Sequence, residues 1–191
     1  MTAGIDRWSE RIASVSVAVK RDFGQLDARQ LNARPPSGGW SVAQNLDHLI
    51  RLNESYWPVV EELRRGEHRP PFTARLPFLP QSLGRMLLKG VQPDRKRKMR
   101  TFPVWEPADE EIPGDIVPRF LAHQEELRSL IASCGDLVEG QAVISSPANR
   151  QIVYPLDAAF DIIVAHEERH LAQAREALAA VAAKPEVGGK R

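Results

Sequence analysis

Apolar residues recur every three or four positions in four long stretches of this chain, and no stretch of similar length alternates apolar and polar residues. The first spacing puts apolar side chains on one face of an α-helix, whereas strict alternation would indicate a β-strand. We therefore predict an all-α fold. The four predicted helices cover about 5–31, 41–60, 116–134 and 156–183.

Each predicted helix has one apolar face. These faces hold Ile5, Trp8, Ile12, Val15, Val19, Phe23 and Leu26 in the first helix, Leu46, Leu49, Asn53, Trp57 and Val60 in the second, Phe120, Leu127 and either Leu130 or Ile131 in the third, and Phe160, Ile163, Leu171, Ala174 and Leu178 in the fourth. Ser41 and Gln44 form a capping-box pattern at the start of the second helix, and Pro58 should kink it. Four helices of this kind predict a four-helix bundle.

A proline-rich segment from 66 to 113 separates the second and third helices and holds eight of the fifteen prolines. We expect short helical pieces at about 80–89 and irregular backbone elsewhere. So long a connection is typical of a lid, a binding loop or a disordered excursion. It also contains the basic run RKRK at 95–98, followed by Arg100, which is either a solvated charge run or an anion-binding edge beside a substrate pocket or an acidic partner.

Length and composition narrow the class of protein. The 191 residues suit one domain, which we place at 1–183 with a flexible tail at 184–191. The charges of the 26 basic and 25 acidic residues nearly cancel, and no known nucleic-acid-binding motif surrounds the basic run. We therefore expect no nucleic-acid partner. The single cysteine, Cys134, is expected in the core. With no apolar span or leader in view, we predict a cytoplasmic protein without a membrane partner.

Three histidines carry the chemical signal. His48 lies in GGWSVAQNLDHL, and His166 and His170 lie in AHEERHLAQ near the end of the chain. The last two are four residues apart, so their rings lie on one side of a helix, a usual spacing for two ligands of one transition metal. On helical wheels these two fall on or beside the apolar face, and His48 lies at the edge of its own. Taken singly, each could be an ordinary core or surface histidine, but together they predict a metal site.

The stretch HEERH at 166–170 also satisfies the H-E-x-x-H pattern of zinc metalloproteases. That interpretation needs a third ligand, and no suitable histidine or glutamate follows, because Glu186 lies in the tail. Glu167 is instead the candidate catalytic residue, either as a hydrogen-bond acceptor behind the ligands or as a proton-transfer group. His123 is either a fourth ligand, a supporting group or a core residue with one hydrogen bond, and His68 is expected to face solvent.

The aromatic residues near the predicted site allow two interpretations. Tyr56, Trp57 and Phe160 could line a pocket, although their spacing places them first in the core. Trp40 is expected to pack at the entry of the second helix rather than to touch a ligand.

The WSVAQNLDHL helix paired with the terminal HEERHLAQ helix resembles the DinB and YfiT-like metalloenzyme superfamily. The resemblance extends from Trp8 to about Leu178 and includes the SSPAN stretch at 145–149. It implies an up-up-down-down four-helix bundle with a long crossover between helices 2 and 3, with His48, His166 and His170 as metal ligands. It also implies a homodimer.

The function implied by this resemblance is metal-dependent chemistry on a small-molecule substrate. Members include transferases and isomerases that use a low-molecular-weight thiol, hydrolases, and proteins with no assigned activity. We therefore expect a thiol S-transferase or a related hydrolase, with a divalent transition metal, nickel or zinc, and a low-molecular-weight thiol as cofactor. The alternative is a non-catalytic metal-binding or dimerisation module. Imidazole ligands alone do not exclude iron or manganese.

Overall fold

The computed structural model describes residues 3–92 and 101–183, most of which are helical. The basic run at 95–98, Arg100 and the predicted tail lie outside the described residues. The elements are, in chain order, α1 (Ala3–Phe23), α2 (Ala28–Asn32), α3 (Val42–Glu54), α4 (Trp57–Arg64), α5 (Leu79–Val91), α6 (Ile116–Ser133), α7 (Gly135–Glu139), β1 (Val143–Ser146), β2 (Asn149–Pro155) and α8 (Leu156–Ala182), with single 3-10 turns at Phe72–Arg75 and Pro103–Trp105.

The helices α1 and α3 each contact both α6 and α8. The predicted apolar faces meet in the core of the protein. On α1, every residue of the predicted apolar face from Ile5 to Phe23 is buried. Of the two alternatives for the apolar face of α6, Leu130 and Ile131, it is Ile131 that is fully buried. Cys134 is buried as expected. Within the described residues, no helix combines the length and apolarity needed to cross a membrane.

The first predicted helix is two helices. α1 ends at Phe23, and the capping box of Asp27 and Gln30 starts the short helix α2. A β-carbon at Gly24 would lie 2.3 Å from the carbonyl oxygen of Lys20, so the chain turns here at a residue without a side chain. The apolar spacing continues through this turn, which is why the periodicity alone predicts one helix.

The second predicted helix is also divided. Its start is as predicted, because the Ser41 hydroxyl accepts from Gln44 N and the Gln44 side chain accepts from Ser41 N. The expected kink at Pro58 is wrong, since α3 ends at Glu54 and α4 begins at Trp57 with Pro58 in its first turn. Proline has no N–H to donate four residues back, but it suits the first turn of a helix.

The crossover is more regular than predicted, since α5 spans 13 residues. This helix packs against α8 and β2, where a β-carbon on Gly84 would lie 3.0 Å from that of Ala158. The returning segment is fastened to α3, because Asp47 accepts from Ala108 N at 3.1 Å and Ser55 Oγ accepts from the Trp105 indole at 3.0 Å. The described parts of the crossover therefore form a folded layer on the helices.

The two-stranded antiparallel sheet was not predicted. β1 and β2 pair Val143 with Pro155 and Ile144 with Tyr154, with an irregularity between Ser145 and Ser146. Its strands are short, and the middle of β2 does not alternate buried and exposed residues. A search for alternation therefore misses it, although the β-branched pair Ile152 and Val153 is typical of a strand.

Candidate metal centre

The structure brings His48 of α3 together with His166 and His170 of α8. The Nε2 atom of His166 lies 3.1 Å from Nε2 of His170 and 3.5 Å from Nε2 of His48. One potential ligand atom from each residue lies within 4.8 Å of the other two. Two nitrogens bound tetrahedrally to one metal at about 2.0–2.1 Å lie roughly 3.4 Å apart, so this spacing suits a shared ion.

The opposite ring nitrogens of two of these histidines are held by oxygen acceptors. His48 Nδ1 donates to the Trp105 carbonyl oxygen at 2.6 Å, and His170 Nδ1 donates to Asn45 Oδ1 at 2.8 Å. The Asn45 amide is itself oriented, because its Nδ2 donates to the Ser41 carbonyl oxygen at 2.8 Å. A neutral imidazole with its proton on Nδ1 has its lone pair on Nε2, so both residues present metal-binding nitrogens to the cluster.

Without a cation, these nitrogens are poorly satisfied. His166 carries one proton when neutral, and its buried Nδ1 has no hydrogen-bond partner among the described residues. If this proton is on Nε2 of His166, it can bond to the Nε2 lone pair of only one of the other two histidines. If it is on Nδ1, the Nε2 lone pairs of all three histidines face one another. A bound metal ion would accept all three, so the donor set fits a divalent transition metal.

Burial also keeps the cluster in its metal-binding protonation state. Desolvation lowers the pKa of His48, and the Trp105 carbonyl partly opposes this. Desolvation, and then the neighbouring histidine charges and Arg169, lower the pKa values of His166 and His170 well below 6.5. Neutral imidazole is the form that binds a metal, so at neutral pH the three histidines can bind a metal without first losing protons.

Trp40 lies directly against the histidines, contrary to the expectation that it only packs at the helix entry. Its ring centroid lies 4.8 Å from that of His48 and 5.7 Å from that of His170, and it is nearly parallel to the latter. Trp40 also lines the cavity described next. The tryptophan therefore covers one side of the cluster and limits its contact with water.

The cluster opens into a cavity of about 330 Å³. The wall combines the bundle helices, the crossover and the β-hairpin, through Gly39, Trp40, His48, Leu52, Tyr56, Leu87, Gly90, Val91, Thr101, Phe102, Trp105, Ser146, Ile152, Tyr154, Ile162, His166, Arg169, His170 and Gln173. Most of these side chains are apolar or aromatic, as in small-molecule sites. Of the three aromatic candidates from the sequence, Tyr56 lines it, whereas Trp57 stacks on His123 and Phe160 packs on Trp8.

Glu167 lies in a separate buried cluster that does not line the cavity. Its Oε1 accepts from Asn53 Nδ2 at 2.9 Å and from Gln124 Nε2 at 2.7 Å, so it links α8 to α3 and α6. Burial raises the pKa of Glu167 to about 7, and the two amide hydrogen bonds partly oppose this. Asn53 also contacts His123 Nε2 at 3.3 Å.

The two remaining histidines lie away from the metal cluster. His123 is a buried residue stacked on Trp57, in keeping with the core interpretation, and burial lowers its pKa to about 4. The expectation that His68 faces solvent is wrong, because its side chain is only 5 % exposed and contacts Glu62 at 3.1 Å. Its Nε2 accepts from Ser145 N at 3.4 Å, so it helps to seat β1.

Sequence reasoning missed the groups that hold the histidines. Asn45 lies three residues before His48, on the same helix, and a polar residue on that buried face was a signal for a ligand partner. The Trp105 carbonyl had no sequence signal, because it reaches His48 only through the crossover. Tyr154 and Ser146, which line the cavity, were also missed, because they lie in the hairpin that was not predicted.

Comparison with known proteins identifies one family. A model of the DinB superfamily matches residues 19–174, which is more than half of the chain. No curated protein and no solved structure matches.

Proposed function

The chain belongs to the DinB superfamily, and on that premise we propose that it is a metal-dependent enzyme that transfers a low-molecular-weight thiol to an electrophilic small molecule or carries out a related hydrolysis. Its metal ligands are His48, His166 and His170. The observation that carries the proposal is the convergence of three Nε2 atoms at the wall of an apolar cavity.

Three protein ligands leave a position open, as in catalytic rather than structural zinc sites. When bound, a divalent metal lowers the pKa of a coordinated thiol or water and so supplies a nucleophile at neutral pH. Nickel and zinc are the metals that we propose, because both accept imidazole nitrogen. The cavity next to the histidines gives a small substrate access to that position.

The chain's own groups orient and shield this chemistry. Asn45 and the Trp105 carbonyl fix the ring orientation and proton position of two ligands. Trp40 and the apolar wall exclude water, which strengthens electrostatic interactions inside the site. We assign Glu167 a proton-transfer or supporting role. It adjoins His166 on α8, and its hydrogen bonds join the two ligand-bearing helices through Asn53.

Elemental analysis of protein purified without an affinity tag tests the metal assignment. We expect about one metal ion per chain in the wild type and little in His48→Ala or in the double variant His166→Ala/His170→Ala. His123→Ala is the matched control, because it removes a buried histidine outside the cluster and should keep the metal. No metal, and no uptake of added zinc or nickel by the wild type, would overturn the assignment.

Turnover tests the reaction class separately. The metal-loaded protein should consume a generic electrophile in a thiol-dependent manner, or hydrolyse a simple ester or amide. Metal binding without either activity would favour the alternative, a non-catalytic metal-binding module. In that case His166→Ala should remove only the stabilisation that the metal provides, whereas in a catalytic site it should also abolish turnover.

The proposal also covers assembly and location. We take α1, α3, α6 and α8 as an up-up-down-down four-helix bundle, and the protein as a cytoplasmic homodimer acting on a small molecule rather than on nucleic acid or membrane. Light scattering of the purified protein tests the oligomeric state: a mass near twice 21.4 kDa is expected, and a mass of one chain would contradict it.

A further inference from the structure

The chain has two tyrosines, and they meet in the wall of the cavity. Tyr56 lies just before α4 and Tyr154 lies near the end of β2, so residues 98 positions apart come together. Their hydroxyl oxygens are 2.9 Å apart, and each residue is only 2 % exposed. Neither tyrosine is needed to hold the histidine cluster, so the pair calls for a role of its own.

Counting protons shows that the pair has a donor to spare. Two hydroxyl groups carry two protons, and the hydrogen bond between them uses only one. Among the described residues, the structure shows no other hydrogen bond to either hydroxyl. Whichever tyrosine donates to the other, one O–H remains to donate to a ligand in the cavity.

Both phenols are held in the donor form. Burial raises the pKa of Tyr56 well above 10, and it also raises the pKa of Tyr154, although the nearby hydroxyls of Tyr56 and Ser146 oppose this. A protonated phenol donates to a neutral oxygen acceptor without adding a charge to the site. The group is therefore suited to a carbonyl oxygen.

The surrounding wall favours an apolar ligand body. Leu52, Leu87, Val91, Ile152 and Ile162 line the cavity, and its volume of about 330 Å³ falls within the range of small-ligand sites. In such a site a few polar groups fix the orientation of the ligand. Here the histidine cluster and the tyrosine pair are two such groups on one wall.

We propose that the linked hydroxyls of Tyr56 and Tyr154 recognise the carbonyl oxygen of an otherwise apolar substrate. The electrophile is thus a ketone, aldehyde or ester whose carbonyl is oriented by the tyrosines while its apolar body fills the cavity. The inference rests on the proposed function in one respect, because it takes the cavity next to the histidines as the substrate site.

The test compares two probes with the same carbon skeleton, acetophenone and ethylbenzene, on the double variant Tyr56→Phe/Tyr154→Phe. Binding is followed by NMR titration of chelator-treated protein, so that no metal contributes. The variant should bind acetophenone about five- to tenfold more weakly than the wild type, the effect of one hydrogen bond. Its affinity for ethylbenzene should change less than twofold. The variant removes both phenol hydroxyls because either alone leaves a spare donor.

Two controls separate recognition from a general change in the cavity. Thr101→Val removes another hydroxyl that lines the cavity and should not reproduce the selective loss of acetophenone binding. In wild-type protein with ring-labelled tyrosine, the two tyrosine signals should shift with acetophenone more than with ethylbenzene. Circular dichroism checks that the double variant keeps its helical content.

Several outcomes would overturn the inference. These are equal losses for both probes, no loss of acetophenone binding in the double variant, the same loss in Thr101→Val, or no binding of either probe to the wild type. Tighter binding of benzoate than of acetophenone would show that Arg169 selects a carboxylate instead. Acetophenone binding that appears only with added metal would assign carbonyl recognition to the metal. If the protein takes up no metal but shows the predicted tyrosine effect, the proposed function fails and this inference stands.

Discussion

Asn45 Oδ1 accepts a hydrogen bond from Nδ1 of His170 at 2.8 Å, although 125 positions separate the two residues. The contact joins α3 to α8 and decides which nitrogen of His170 faces the cluster. Because the other Asn45 atom, Nδ2, donates to the Ser41 carbonyl, the amide cannot present its nitrogen to His170 without losing that bond. A single amide therefore couples the start of α3 to the candidate metal ligands.

Replacing Asn45 should weaken metal binding more than it weakens the fold. Asn45→Ala removes the acceptor for His170, and loss of such a partner lowers metal affinity about 10- to 100-fold. Asn45→Asp is the matched variant, because it keeps an acceptor for His170, although it loses the donor to Ser41 and adds a negative charge. Competition with a chelator should show near wild-type affinity for the Asp variant. Equal losses in both variants would contradict this role for the Asn45 oxygen.

Metal should raise the melting temperature only when the cluster is intact. A ligand at about 100 times its Kd stabilises the folded state by about 2.7 kcal/mol. For a chain of this length that corresponds to roughly 5 to 10 °C. We expect this shift in the wild type and in His123→Ala, but not in His166→Ala. A full shift in His166→Ala, measured by calorimetry with added zinc or nickel, would place the metal elsewhere.

His123 should make the protein less stable in acid. Burial lowers its pKa from 6.5 to about 4, so between these pH values the unfolded chain binds a proton that the folded chain does not. The free energy of unfolding therefore falls as pH drops from about 6.5 to 4, by on the order of 3 kcal/mol from this residue. Above pH 6.5 both states are neutral there, and the contribution is constant.

The variant His123→Leu isolates this effect. Urea unfolding at several pH values should show a shallower loss of stability below pH 6.5 in the variant than in the wild type. Parallel curves would mean that His123 is not the group responsible.

Glu167→Gln tests the role assigned to Glu167. Gln can still accept hydrogen bonds from Asn53 and Gln124 through its oxygen, so the buried link between the helices survives. We expect wild-type metal content and a loss of turnover of about 100-fold if the carboxyl transfers a proton. Normal turnover at normal metal content would restrict Glu167 to a structural role.

Gly84 should tolerate only the smallest side chain. A β-carbon here would lie 3.0 Å from Ala158 Cβ and 3.4 Å from Tyr154 Cβ, so α5 must move to admit it. Gly84→Ala gains up to about 1 kcal/mol of helix propensity, which offsets the close contact. Gly84→Val should cost about 1–3 kcal/mol through overpacking. Equal stability of the Val variant and the wild type, by urea unfolding, would show that this packing is loose.

The sequence predicted the parts of this protein that depend on local periodicity. The buried face of α1 from Ile5 to Phe23 and the capping box at Ser41 follow from spacing along one helix, and both are confirmed. His166 and His170 are four residues apart on one helix, so their proximity was equally predictable. His48 needed the packing of α3 on α8, which the family resemblance indicated.

Apolar spacing does not reveal every local feature: the turn at Gly24 interrupts no apolar pattern, and the hairpin strands are too short and irregular to alternate. Features that depend on contacts between distant segments were also not predictable from spacing. The position of Trp40 over both histidines needs the packing of α3 on α8, and the Trp105 carbonyl reaches His48 only when the crossover folds back. The meeting of Tyr56 with Tyr154 needs the hairpin.

The walls of the cavity have a consequence for how such a protein could diversify. The three histidines lie on α3 and α8, whereas Leu87, Val91 and Phe102 come from the crossover and Ser146 and Ile152 from the hairpin. Substitutions in these two segments can therefore alter which compounds are accepted without touching the imidazoles. A library confined to them is the natural starting point for changing ligand selectivity while the proposed metal site is retained.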